Sequence, residues 1–207
     1  MRVIGLTGGI GMRKSTAAAA FRRVGLPVFD ADRAVHRLQA PHGRAVPAIA
    51  ELVPAAVQDG RIDRAVLRAA VIADPARLRR LEAILHPMVR DAQRRFLGRA
   101  RARGCRWAVI DSPLLLEGDG WRQCDLVVVV SAPRAIQIRR VRLRRGMSDA
   151  EAQTLIARQM PDMEKRRRAD IVIRTGLSRW HGLRQVRRLL GRLAADGALS
   201  LNKGTKA

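Results

Sequence analysis

Tyrosine is absent from this 207-residue chain, and phenylalanine and tryptophan contribute three residues each. So sparse an aromatic set does not supply the stacked rings with which RNA-binding surfaces hold unpaired bases. Two cysteines, Cys105 and Cys124, give neither a disulfide framework nor a zinc spacing. They read as reduced thiols, which points to a cytoplasmic protein. No apolar run approaches the ~20 residues that a membrane-spanning helix requires, and the N-terminus lacks the flanks and core of a signal peptide. Acidic residues are scarce too: 18 oppose 41 basic ones, a formal charge of +23, and only Lys14, Lys165, Lys203 and Lys206 among those cations are not arginine. Such a surface attracts polyanions in general. Charge alone selects none of them.

What is present is globular. Hydrophobic residues make up 47% and charged ones 29%, so the length fits one domain with an insertion. Val3–Leu6, Pro27–Phe29, Arg106–Ile110, Leu126–Val130 and Ile171–Ile173 are short apolar runs of the kind that form doubly buried strands. Helical patterns alternate with them, which predicts an α/β fold with a parallel sheet covered on both faces. The first helix is expected from Lys14 to Val24, ended by Gly25. The long stretch between the second and third strands reads as a helical insertion, with Asp74-Pro75 opening one helix. Pro133 opens an arginine-rich helix, and Ser148-Asp149-Ala150-Glu151 is a capping box for the next. The polar end, 199–207, is expected to fray.

The strongest chemical signal is Gly8-Gly9-Ile10-Gly11-Met12-Arg13-Lys14-Ser15, directly after the first strand. A phosphate-binding loop has the form G-x-x-x-x-G-K-[ST]: glycines let backbone N–H groups wrap the phosphates, the lysine reaches them, and the hydroxyl serves Mg²⁺. Gly8, Lys14 and Ser15 fit. The second glycine is replaced by Arg13. Phe29-Asp30-Ala31-Asp32 ends the second strand, where ligands of open parallel sheets gather. Asp30 suits a helix cap, whereas Asp32 suits orientation and deprotonation of an attacking hydroxyl. Asp111, ending the third strand, is either a second Mg²⁺-site acid or a turn residue. Arg140 and Arg144 share a helix face and either close over a triphosphate or form a solvated basic face. His86-Pro87 reads as a packing or turn feature.

Together these pieces resemble the dephospho-coenzyme A kinase family. The resemblance runs from about Arg2 to Gly176, and its markers are Leu6-Thr7-Gly8-Gly9-Ile10-Gly11, Asp30-Ala31-Asp32, His86-Pro87, Asp111-Ser112-Pro113-Leu114-Leu115-Leu116-Glu117, Gln159, and Ala169-Asp170-Ile171-Val172-Ile173. It implies a three-layer P-loop kinase core with a five-stranded parallel sheet, spanning 1–32, 104–132 and 169–198. An acceptor-binding helical insertion would span 33–103 and a helical lid 133–168. The implied substrates are ATP and dephospho-coenzyme A, with Mg²⁺ as cofactor and no membrane or specific nucleic-acid partner. A monomer or weak homo-oligomer is expected. Gly8 to Thr16, including Gly9, Ile10, Gly11, Met12 and Arg13, would hold ATP together with Arg144. Lys14, Asp32 and Arg140 would be catalytic. Asp32, His86, Leu114 and Glu117 would line the acceptor, and Ser15 and Asp111 would hold the metal.

Arg13 departs from the pattern. A side chain there threatens the space of the phosphates, and a positive φ would cost a non-glycine residue on the order of 1–2 kcal/mol. The expectation is a folded protein with weakened ATP binding and reduced turnover, restored by Arg13→Gly. The alternative function is accordingly a catalytically impaired nucleotide- or coenzyme-A-binding protein.

Overall fold

The computed structural model describes residues 1–195. The end expected to fray, 199–207, lies outside the described residues. The chain divides into two compact units, one formed by residues 1–29 with those from 100 on, the other by residues 30–99.

In the first unit, β1 (Arg2–Thr7), β2 (Val28–Asp30), β5 (Trp107–Asp111), β6 (Leu126–Ser131) and β7 (Ile171–Arg174) form a five-stranded sheet in the order β2-β5-β1-β6-β7. β1 runs parallel to β5, with Ile4 opposite Val109, and to β6, with Leu6 opposite Val128. β7 runs parallel to β6. The strands are apolar along their length because helices cover the sheet. α1 (Lys14–Arg23) and α9 (Arg179–Ala195) bury Ala17, Ala18 and Phe21 with Val186, Leu189, Leu190 and Leu193 against Ile4, Leu6, Val128 and Ile173. The α9 spacing of three and four residues is the amphipathic period of a helix. Burial of Phe21, which is fully inaccessible, contributes about 2–3 kcal/mol.

Two aspartates just ahead of strands tie neighbouring strands together. Asp125 Oδ2 accepts from the Val3 N–H at 2.6 Å, and Asp170 Oδ2 accepts from the Val127 N–H at 2.7 Å. After β6 come α6 (Arg134–Arg145), α7 (Asp149–Ala157) and α8 (Asp162–Arg167). The capping box at Ser148 and Glu151 forms as expected. Val141, Ala152 and Ile156 make a small core of their own, against which Ile10 of the glycine-rich loop packs.

The second unit contains α2 (Ala31–Leu38), α3 (Val46–Leu52), α4 (Arg64–Ala73) and most of α5 (Pro75–Ala102) around Leu38, Ile49, Val53, Leu67, Val71, Leu81 and Leu85. Asp74 Oδ1 accepts from the N–H groups of Ala76 and Arg77, and Pro75 takes the first helical position. Two features differ from the sequence reading. A hairpin of β3 (Val57–Gln58) and β4 (Arg61–Ile62) interrupts the helices. Its turn is Asp59-Gly60, both at positive φ, the dipeptide that favours two-residue hairpin loops. His86-Pro87, read as a turn or packing feature, lies inside α5, and the turn is not formed. Pro87 therefore forgoes one intrahelical hydrogen bond, which the rest of this 28-residue helix outweighs.

Candidate active site

β1 lies between strands reached by crossovers in opposite directions, so its carboxyl end is the crevice where an open α/β sheet binds ligands. The loop from Gly8 to Arg13 occupies that end and leads into α1. Its sharp course depends on Gly8, at φ +156°, where a Cβ would stand 2.6 Å from the Val130 carbonyl oxygen. Gly11, at φ +77°, is less tightly hemmed in, with the Gln137 carbonyl oxygen 3.1 Å from where a Cβ would be. Arg13, the N-cap of α1, is also left-handed, at φ 63° and ψ 33°. No side chain caps this helix and its first turn holds no acid. Its leading N–H groups thus remain available to an anion.

Lys14 opens α1 and donates from Nζ to Asp111 Oδ1 at the end of β5. Asp111 is buried, 4% exposed. A carboxylate so placed holds the ammonium over the loop. Ser15 is exposed in the first turn and Thr16 half-buried. The segment after β5 is itself tied down. Pro113's carbonyl accepts from Thr7 Oγ1 at 3.1 Å and from Lys165 Nζ at 3.1 Å. Lys165, wholly buried, also pairs with Glu117 Oε1 at 2.8 Å. Glu117 accepts from the Met160 N–H as well, at 3.3 Å. In this structure, then, Glu117 anchors α8 to the loop. Leu114 is 54% exposed.

The peptide of Ile10 is gripped from both sides. Gln159 Oε1 accepts its N–H at 2.8 Å, and Gln137 Nε2 donates to its carbonyl at 2.9 Å. Arg140 donates to the Gly11 carbonyl at 3.4 Å, to Thr175 Oγ1 at 3.2 Å and to the Thr175 carbonyl at 2.5 Å. Burial, and secondarily the charge of Arg13, lower the pKa of Arg140 from its ordinary value. Arg144, on the same helix, is exposed. Sequence reasoning did not assign roles to Gln137, Lys165 or Thr175. The available signal was a polar side chain at a core-facing helical or strand-end position.

Arg13 meets the expectation made for its backbone. Its φ is positive, so the backbone strain is present. Its side chain is exposed, and the residue lines a small cleft with Thr16, Ala17, Thr175 and Leu183.

A cavity of 1210 Å³ adjoins the loop, lined among others by Gly9, Met12, Gln137, Gln159, Asp162 and Lys165. Lys14, Ser15 and Asp111 are not part of its wall, so it neighbours the phosphate-binding groups without containing them. In the second unit, Asp30 Oδ1 accepts the Arg33 N–H at 2.9 Å, the cap anticipated for it. Asp32 is exposed in the first turn of α2, and His86 is exposed on α5.

A glycine loop between a central parallel strand and a helix, with lysine at the helix start paired to a strand-end aspartate, defines a P-loop kinase-type protein. The family model for dephospho-CoA kinase matches residues 2–178, and the chain belongs to that family. The dephospho-CoA kinase of Gluconobacter oxydans (strain 621H) is 53% identical over 197 residues, covering 93% of this chain and 98% of that protein. The crystal structure of TT1252 from Thermus thermophilus is 35% identical, with a TM-score of 0.80 over 94% of this chain and 97% of its own. The dephospho-CoA kinase from Campylobacter jejuni shares the fold at 18% identity, with a TM-score of 0.64 over 93% of this chain and 97% of its own.

Proposed function

We propose that this chain transfers the γ-phosphoryl group of ATP to the ribose 3′-hydroxyl of dephospho-coenzyme A, giving ADP and coenzyme A. The observation that carries the reading is Lys14 at the start of α1, held by Asp111 behind the Gly8–Arg13 loop. Phosphoryl transfer asks little covalent chemistry of a protein; it asks for positioning and for stabilisation of charge on the transferring group. Loop N–H groups and the leading turn of α1 receive the phosphates, and Lys14 supplies a full positive charge against them. Arg140, already bonded to the loop through Gly11, brings a second.

Ser15 and Asp111 are an all-oxygen pair suited to Mg²⁺, which keeps water and substrate phosphates as its other ligands. When bound, Mg²⁺ neutralises phosphate charge. Asp32 orients the acceptor hydroxyl and takes its proton late in a loose transition state, where positioning matters more than basicity. His86 and Leu114 belong to acceptor recognition, and Arg144 to the nucleotide. The reading places the enzyme in the cytoplasm as a monomer or weak homo-oligomer, without a membrane or specific nucleic-acid partner.

The test is ADP release with ATP, Mg²⁺ and dephospho-coenzyme A, read by a coupled assay and by mass spectrometry of the product. Asp32→Asn is expected to lower kcat by at least about 10²-fold with ATP affinity nearly unchanged. Near-normal turnover in that variant would remove Asp32 from the mechanism. No coenzyme A from the native chain would overturn the reading.

A further inference from the structure

Arg13 stands where the phosphate-loop pattern has glycine, and its neighbourhood says what it does there. It lines a small cleft together with Thr175. Thr175 is the residue to which Arg140 donates through both terminal nitrogens, while Arg140 also reaches the Gly11 carbonyl of the loop. Arg13 and Arg140 therefore both border Thr175, just past the end of β7 and beside the phosphate loop. Their proximity is felt electrostatically, since Arg13 adds to the lowering of Arg140's pKa that burial begins. Neither is paired with a carboxylate among the described residues. Arg140's donors go to neutral oxygens only, which leave its charge and that of Arg13 uncancelled. Like charges held together without a counter-charge repel, and a polyanion laid against the rim relieves that repulsion.

We propose that Arg13 is an additional ligand of the nucleotide's polyphosphate, acting from the outer rim of the loop beside Arg140. This rests on the ATP reading above and deepens it. From an exposed position at the N-cap of α1, Arg13 attracts ATP before and during transfer alike. Such uniform binding lowers KM and leaves kcat unmoved. The arginine thus compensates in affinity for the backbone strain it introduces, and it makes nucleotide binding more dependent on ionic strength than a glycine loop would be.

The experiment compares the native chain with Arg13→Lys, Arg13→Asn and Arg13→Gly, measuring kcat and KM for ATP between 50 and 300 mM KCl (about 2.4-fold in Debye length). Asparagine tolerates the left-handed backbone and so removes the charge with little change in the loop. The expected result is a KM for ATP raised roughly three- to tenfold in Arg13→Asn at low salt, kcat within about twofold, and a shallower salt dependence. Arg13→Lys should keep most of the affinity. Equal KM and equal salt slope in Arg13→Asn would overturn the proposal, as would a tighter KM in Arg13→Gly, which would restore the steric reading. A native chain that does not turn over ATP would overturn the kinase reading itself, a separable failure.

Discussion

Arg13 and Cys124 show how much a single side chain's surroundings decide. At φ 63° Arg13 carries a left-handed penalty of about 1–2 kcal/mol, partly offset because glycine loses about 0.5–1 kcal/mol more backbone entropy on folding. Arg13→Gly should therefore raise unfolding free energy by about 0.5–1 kcal/mol, read from the urea midpoint at unchanged slope. A lower midpoint would mean that the stem's contacts in the β7–α9 cleft outweigh the strain. With the expected rise in midpoint, stability and nucleotide affinity move in opposite directions on the same substitution. At Cys124, burial and then the neighbouring Asp125 push the thiol up to about 12. The thiolate is the nucleophile, so at pH 8 native Cys124 should resist iodoacetamide and become reactive on unfolding. Mass spectrometry of a short alkylation course checks this; rapid modification of the folded protein would contradict it.

α8 is a six-residue helix, too short to stand alone, and an ion pair whose ammonium is buried fixes it. Lys165 is fully buried, with Glu117 and the Pro113 carbonyl as partners, while Arg168 donates to the Leu116 carbonyl at 3.3 Å. Removing Glu117 strands the buried ammonium, so Glu117→Leu should cost about 3 kcal/mol, whereas Glu117→Leu with Lys165→Met should recover much of it. Additive losses in that double-mutant cycle would show that the two charges do not support one another. This pair also marks the limit of what the sequence displays. The five strands, the loop and the helix caps at Asp30, Asp74 and Ser148 follow from local chemistry: apolar runs, glycines, and side-chain acceptors ahead of helices. Lys165 and Glu117 are 48 positions apart by number, and nothing local pairs them. Gln137 and Gln159 likewise meet at Ile10 only because three elements converge there. The β3–β4 hairpin was legible in Asp59-Gly60 but is flanked by strands of two residues, too short to show a period of two. Glu117 was visible as a motif residue; its contacts were not.

Charge has to be followed over the whole molecule, because +23 is far beyond what any one site uses. In residues 133–168 there are ten arginines and Lys165, opposed by Asp149, Glu151, Asp162 and Glu164. The structure shows those acids already engaged. Asp149 pairs with Arg142 at 2.8 Å and Glu164 with Arg168 at 2.5 Å. Glu151 serves the cap at Ser148, and Asp162 accepts from Ser131 at 2.7 Å. Lys165 turns inward to Glu117. Arg140 on α6 is left without an acidic partner among the described residues, and a nucleotide triphosphate supplies the counter-charge. Segments that close over phosphates are drawn from the less stable parts of a fold. Hydrogen exchange in residues 133–168 should therefore slow when a non-hydrolysable ATP analogue and Mg²⁺ are added, with protection strongest at low ionic strength. Inorganic sulfate at equal ionic strength should give much less, because it cannot span from the loop to α6. Equal exchange with and without the analogue would show that this region is held by its packing on Val141, Ala152 and Ile156 and does not respond to the nucleotide.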